Sequence, residues 1–253
     1  MKRIALLALS LLALAAGEAQ GQKVKKPWSQ QLYRPRNEAR PVRFGIALSM
    51  NVLDFRITNT AAPAAVGEGG EEGWYFATVD GLTPGFNVNA LVRFRFTDDF
   101  HLRVLPGICF GQRDISFYRV IPGSEQNGTL ALQTQLETAY IEMPILLCYQ
   151  ALRTSNVRPY VVAGVSPRLD AAAFRKLKVE NKQYLQLNRY DLAYEIGLGC
   201  EFYFTYFKMA PEFKWSASVL PGLSKTVAEG GEAYRAAIKG LTGQGFVFSL
   251  IFE

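Results

Sequence analysis

The chain has little of what most enzymes and metal sites are built from. It carries one histidine, His101, and three cysteines, Cys109, Cys148 and Cys200. His101 falls just past a short Thr97-Asp98-Asp99 turn. One histidine so placed does not assemble a Ser–His–acid set. The cysteines are odd in number and sit inside strand-like runs, which argues against a disulfide framework or a zinc site and for small packing residues. The run Gly-Glu-Gly-Gly-Glu-Glu-Gly at 67–73 lacks the spaced Asp and Asn of a calcium loop and reads as a solvated loop tip. Beyond Ala16 no apolar stretch approaches the roughly 20 residues of a membrane-spanning helix. These absences predict a protein that is not an enzyme and has no cofactor and no metal.

What is present begins with a secretory pattern. Lys2 and Arg3 precede an apolar run of 13 residues, Ile4 to Ala16, and small residues follow at Gly17, Ala19 and Gly21. Cleavage is expected after Gly21, with Ala19 the close alternative. The absence of cysteine near the expected cleavage site argues against a lipid-anchored form. Removing this segment takes Lys2, Arg3 and Glu18 with it and lowers the net charge from +6 to +5. Much of the remaining excess lies in a basic arm at 22–41, which holds Lys23, Lys25, Lys26, Arg34 and Arg36.

From residue 42 onward the signal is alternation with period two, the mark of strands with unlike faces. Phe246, Phe248, Leu250 and Phe252 share one face of the last strand. Tyr190, Leu192, Tyr194, Ile196 and Leu198 oppose Asp191, Glu195, Gly197, Gly199 and Glu201. Together with segments near 42–54, 86–96, 100–113, 138–150, 158–170 and 208–219, this predicts eight strands. Short connections (97–99, 151–157 and 205–207) alternate with long ones (55–85, 114–137, 171–189 and 220–244). Outer-membrane barrels have that asymmetry, with short periplasmic turns and long external loops, so both termini are expected in the periplasm.

The faces predict the solvent on each side. The apolar faces are bulky and continuous. The polar faces are charged and glycine-rich, unlike the Lys, Thr and Ser expected outside a soluble barrel. We therefore expect a lumen charge network of Arg43, Arg93, Arg95, Arg103, Glu142, Arg168, Asp191, Glu195, Glu201 and Glu212, joined by Arg113, Asp170 and Lys214 and filled by Tyr140 and Tyr203. Opposite charges are needed because an unpaired buried charge costs several kcal/mol. Two aromatic girdles are expected. One includes Phe44, Phe94, Phe96, Phe100, Tyr149, Phe202, Phe204, Tyr206, Phe207 and Phe252 at the periplasmic end; the other includes Phe55, Phe86, Phe117, Tyr118 and Tyr190. Pro144 should mark a bulge or kink, with Glu142 paired to an arginine across the barrel. Trp74, Tyr75, Phe76 and Tyr234 in the long loops should pack over the barrel mouth.

The segment Tyr140-Ile-Glu-Met-Pro-Ile-Leu-Leu-Cys-Tyr149 is similar to the Glu-x-Pro strand of the Bacteroidetes outer-membrane barrel family. Arg158-Pro-Tyr-Val-Val-Ala-Gly-Val-Ser166, Tyr194-Glu-Ile-Gly-Leu-Gly-Cys-Glu201 and Pro211-Glu-Phe-Lys-Trp215 resemble the strands that follow. The charged N-terminal segment and the closing Phe248-Ser-Leu-Ile-Phe-Glu253 look most like the family's type IX secretion members. The resemblance covers roughly residues 42–253 and implies a non-enzymatic role in protein secretion and gliding, with no site residues to carry over.

The resulting organisation is a signal peptide at 1–21, a periplasmic arm at 22–41 and an all-β, eight-stranded antiparallel transmembrane barrel at 42–253. Expected partners are outer-membrane lipid and other secretion-system proteins, with no nucleic acid and no small-molecule substrate. The alternative is a small-solute porin or a surface ligand-binding barrel.

Overall fold

The computed structural model describes residues 40–65, 72–121, 128–172, 185–227 and 231–253. The expected signal segment, residues 22–39 of the expected arm and most of the 67–73 run lie outside the described residues. The chain opens with β1 (Val42–Asn59), followed by the short β2 (Ala64–Ala65), β3 (Glu72–Thr78) and β4 (Pro84–Arg95). β5 (Phe100–Val104) and β6 (Gly107–Val120) form one wall strand interrupted at Leu105-Pro106. β7 (Leu130–Glu142) and β8 (Ile145–Gln150) form another, interrupted at Met143-Pro144. Then come β9 (Val157–Asp170), the short β10 (Leu185–Leu187), β11 (Tyr190–Tyr203) and β12 (Lys208–Ser218). The chain ends with β13 (Leu223–Val227), the one-turn helix α1 (Glu232–Ala237) and β14 (Ile238–Phe252).

The antiparallel ladders trace a closed circuit. β1 pairs with β4, β4 with β5 and β6, and these with β8 and β7. β7 and β8 both pair with β9, which leads through β11 and β12 to β14. β14 returns to β1, with Leu48 opposite Leu250. Counting each interrupted pair once gives eight wall strands among the described residues. Closure leaves the wall no free edge at membrane depth, which is what lipid demands of backbone polar groups.

Proline explains both interruptions, since it cannot donate to a ladder. Leu105 N–H donates to the Pro144 carbonyl, and Ala90 N–H to that of Pro106, so the breaks in neighbouring strands are bridged. Glycine serves a different need at Gly199, where a Cβ would strike the ring of Tyr160 on the facing strand. The small residue lets that ring lie across the inner wall.

Alternation places the side chains. On β1, Phe44, Ile46, Leu48 and Met50 are exposed outward, while Arg43, Ala47, Ser49, Asn51, Leu53 and Phe55 are buried inward. The outward belt continues through Phe86, Ile108, Phe110, Ile141, Val161, Ile196, Phe213 and Phe246. Phe96, Phe100, Tyr149, Phe204, Tyr206 and Phe207 gird the end bearing the short turns.

Two expectations fail at the opposite end. The wall strands run further than the alternation suggested: β1 to Asn59, β6 to Val120, β7 from Leu130 and β14 from Ile238. Phe55 and Phe117 are not girdle residues but are buried inside, at 5% and 0% exposure. They join Tyr75, Ile115, Leu132, Leu136, Leu185, Leu187, Leu223 and Leu241 in an apolar core that fills the outer third of the bore. Outside, these stretches carry Arg56, Gln133, Gln135 and Glu137. The barrel therefore rises above its apolar belt, and the polarity of its two faces reverses where water replaces lipid. Of the loop aromatics, Tyr75 is buried in this core and Tyr234 packs against it, with ring centroids 4.5 Å apart. Trp74 is half-buried, and Phe76 points outward.

Candidate functional site

The inward positions below the apolar core form a stack of charged layers, which alternation alone would place there. Nearest the short turns, Glu253 receives Arg93 Nη2 at 2.5 Å, Lys208 Nζ at 2.6 Å and Arg43 Nη1 at 3.6 Å. Glu201 beside it accepts from Arg93 Nη1 at 2.7 Å, Lys208 Nζ at 3.1 Å and Tyr203 Oη at 2.8 Å. One layer up, Glu212 accepts from Arg103 Nη1 at 2.6 Å and Tyr160 Oη at 2.7 Å. The Arg103 guanidinium also lies 4.3 Å from the centre of the Tyr160 ring.

The next layer centres on Glu195, which accepts from Lys214 Nζ at 2.8 Å and Arg168 Nη2 at 3.0 Å. Arg168 also reaches Ser216 Oγ at 2.8 Å and lies 3.6 Å from Glu142. Glu142 accepts from Asn87 and Asn89 at 2.9 and 3.0 Å. Above it, Arg113 donates to Tyr140 Oη at 3.1 Å and lies over the Phe55 ring, where the charged stack meets the apolar core.

Two contacts span the bore. β4 and β11 stand on opposite sides of the ring, as do β5 and β12. Arg93 and Glu201, and Arg103 and Glu212, therefore meet across the full width of the lumen. All four side chains are essentially inaccessible, at 0–1% exposure. Each carboxylate has several donors, as burial requires. The stack occupies the bore from wall to wall. Its chemistry is that of paired charges, and among the described residues no group of His, Cys, Asp and Glu could hold a metal ion.

Of the expected lumen residues, the structure brings together Arg43, Arg93, Arg103, Glu142, Arg168, Glu195, Glu201 and Glu212. Arg95 lies elsewhere: at the rim, the turn residue Asp98 captures it. Asp191 sits half-buried at the other end of the stack, accepting from Ser218 Oγ at 2.6 Å rather than pairing with a cation of the network. Glu142 pairs with Arg168 on the adjacent strand, not with an arginine across the barrel, because β7 ends with Glu142 directly opposite Arg168. Lys23, Lys25, Lys26, Arg34 and Arg36 of the arm lie outside the described residues.

Lys208 and Glu253 are members the sequence reading missed. Lys208 is in register with Glu212 and Lys214, and Glu253 with Ser249 and Ile251, so both face inward by the same alternation. Glu253 lies one residue past β14, and Lys208 is the first residue of β12. The three cysteines are free, Cys109 and Cys148 being buried among lumen side chains.

The sequence matches the family model described as outer membrane protein beta-barrel domain over residues 19–227. No curated protein matches it. Among solved structures, the chain is similar to Neisserial surface protein A (NspA), with 10% identity over 84% of this chain and 98% of that one and a TM-score of 0.40. It is similar to OprG from Pseudomonas aeruginosa, with 13% identity, coverage of 82% and 94% and a TM-score of 0.42. A third is Ail, the attachment invasion locus protein of Yersinia pestis, solved in complex with the heparin analogue sucrose octasulfate. It shows 11% identity, coverage of 83% and 96% and a TM-score of 0.35. With its closed antiparallel ring, outward apolar belt and a family match over most of its length, the chain belongs to the outer membrane protein beta-barrel domain family.

Proposed function

We propose that this outer-membrane barrel is a non-enzymatic component of a protein secretion machine, acting as a scaffold or assembly factor through contacts at its two ends. The observation that carries the reading is the transverse bracing, Arg93 to Glu201 and Arg103 to Glu212. An eight-stranded barrel is just wide enough for its own side chains, and here they fill it. With lipid outside and ion pairs inside, recognition is left to the turns, loops and termini.

The start of β1, the end of β14 and the short turns share one end of the barrel, which by analogy with outer-membrane barrels in general would face the periplasm. The basic arm would then stand beside periplasmic partners, bound by charge that salt screens. The choice of secretion rests on the charged N-terminal segment and the closing Phe248-Ser-Leu-Ile-Phe-Glu253, which look most like PorT of the type IX system. The test is charge reversal at Lys23, Lys25, Lys26, Arg34 and Arg36. Cargo secretion should fall while the barrel is retained at wild-type abundance; normal secretion from that variant would remove the arm from the mechanism.

A second reading, a surface ligand-binding barrel, is favoured by an open cleft of about 530 Å³ at the opposite end, lined by Asn188, Arg189, Tyr190 and Pro221. It predicts normal secretion in a deletion strain and loss of binding to an external ligand. A small-solute porin would need a bore that this stack of side chains occupies.

A further inference from the structure

β1 is paired on one side up to its end, from Ile46↔Phe252 to Asn59↔Ile238. On the other side its ladder with β4 stops at Val52↔Pro84. Above that point the neighbouring wall line consists of residues 79–83, tied to β6 by the Leu82↔Arg113 bridge and by the Tyr118–Asp80 side-chain hydrogen bond, and then of β3, which pairs with β6. β1 and β3 meet again through one side chain: Asn59 donates to the Ala77 carbonyl at 2.9 Å and accepts from its N–H at 3.0 Å. Between the end of the ladder and this clamp the wall is interrupted by a cleft of about 490 Å³.

The cleft has two kinds of surface. Its apolar part is formed by Phe55, Ile57 and Val79, all parts of the outer apolar core, with Leu82 63% exposed beside them. Its polar part carries Asp54 and Asp80. Asp54 accepts from Phe55 N–H at 2.7 Å and Gln244 Nε2 at 3.1 Å, and Asp80 accepts from Tyr118 Oη at 2.8 Å. Among the described residues neither carboxylate has a cationic partner. Behind the cleft, Arg113 lies over the Phe55 ring at 4.4 Å. An incoming cation is therefore favoured beside the carboxylates and disfavoured in the depth. Asp54 lies four residues above Met50, the last of the exposed apolar side chains on β1, so the cleft opens just above the lipid belt.

We propose that this interruption of the wall is a binding cleft for a small amphipathic cation. The apolar body packs on Phe55, Ile57 and Val79, and the ammonium group lies at Asp54 and Asp80. Its volume falls within the range of small-molecule sites, and its lining is more polar than apolar, as suits a charged ligand.

Gly81 provides a clean test. A Cβ there would meet nothing closer than Asp114 Oδ2 at 3.8 Å, so a side chain can be added at this cleft-lining position without striking backbone. The mature protein, folded in a non-ionic detergent, is titrated with dansylcadaverine and with its uncharged N-acetyl derivative, each followed by fluorescence. Saturable binding of the amine above a protein-free control is expected. Gly81→Trp should weaken it by at least about tenfold while leaving the heat-dependent gel shift of the barrel unchanged. The double variant Asp54→Asn, Asp80→Asn should weaken the amine roughly three- to tenfold and leave the uncharged derivative unaffected. Lack of saturable binding, wild-type binding by folded Gly81→Trp, or equal binding of amine and derivative would each overturn the proposal. Should Gly81→Trp fail to fold, the carboxamide variant decides by the same criterion.

Discussion

Glu212→Ala removes one end of a brace that crosses the lumen. The variant leaves Arg103, at 0% exposure, with only Glu201 at 3.5 Å as a charged partner, and deprives Tyr160 Oη of its acceptor. Breaking a buried pair from one side costs about 3–5 kcal/mol, because the surviving charge keeps its desolvation penalty. Glu201 offsets part of that loss, so the lower end of the range, about 3 kcal/mol, is expected. Replacing both partners with apolar residues, Arg103→Met with Glu212→Leu, removes the penalty as well as the attraction and should return stability to within about 1 kcal/mol of wild type. The single variants Glu212→Leu and Arg103→Met complete a double-mutant cycle whose coupling should be at least about 2 kcal/mol. The assay is reversible urea unfolding of protein folded into lipid vesicles, read by tryptophan fluorescence and by gel mobility. A Glu212→Ala variant within about 1 kcal/mol of wild type would refute the reasoning, since it would mean that water reaches Arg103 and the bore is not filled.

The folded mature chain should migrate faster unheated than boiled on a denaturing gel; a soluble monomer without detergent would contradict the membrane reading. Gly199→Ala should destabilise the barrel by about 1–3 kcal/mol because the new methyl group meets the Tyr160 ring. That cost should shrink in a Tyr160→Leu background, and an unchanged cost would show that the ring is not the cause. Arm charge reversal should impair secretion as described above, and binding of the arm to its partners should weaken as salt rises.

The lipid-embedded part of the barrel was legible because one rule holds along its outer face: large apolar side chains alternate outward, while the inward positions are mostly charged or small, with apolar exceptions such as Leu91, Leu146 and Ile251. Phe44 to Met50 and Tyr190 to Leu198 follow that rule without a break. The outer third was misread because the same period continues with its sense inverted. At Phe55, Ile115, Phe117, Leu132 and Leu136 the apolar residues point in, and Arg56, Gln133, Gln135 and Glu137 point to water. A reading that expected one apolar face took these stretches for loops and assigned Phe55 and Phe117 to the membrane interface. The charged stack was legible from residue parity, but its partners were not. Parity cannot tell that Arg95, at the last position of β4, turns to Asp98, or that the bore is narrow enough for Arg103 to reach Glu212 on the far wall. Nor does the β1–β4 mismatch above Val52 have a periodic signature; only the ladders reveal it.

The central claim, a closed barrel whose bore is filled and whose activity lies at its ends, is tested most directly by single-channel recording of the purified protein in planar lipid bilayers. Side chains that meet across the lumen at Arg93–Glu201 and Arg103–Glu212 predict a flat baseline at moderate voltage. Stable, regular conductance steps of the size given by 16-stranded porins would contradict the account.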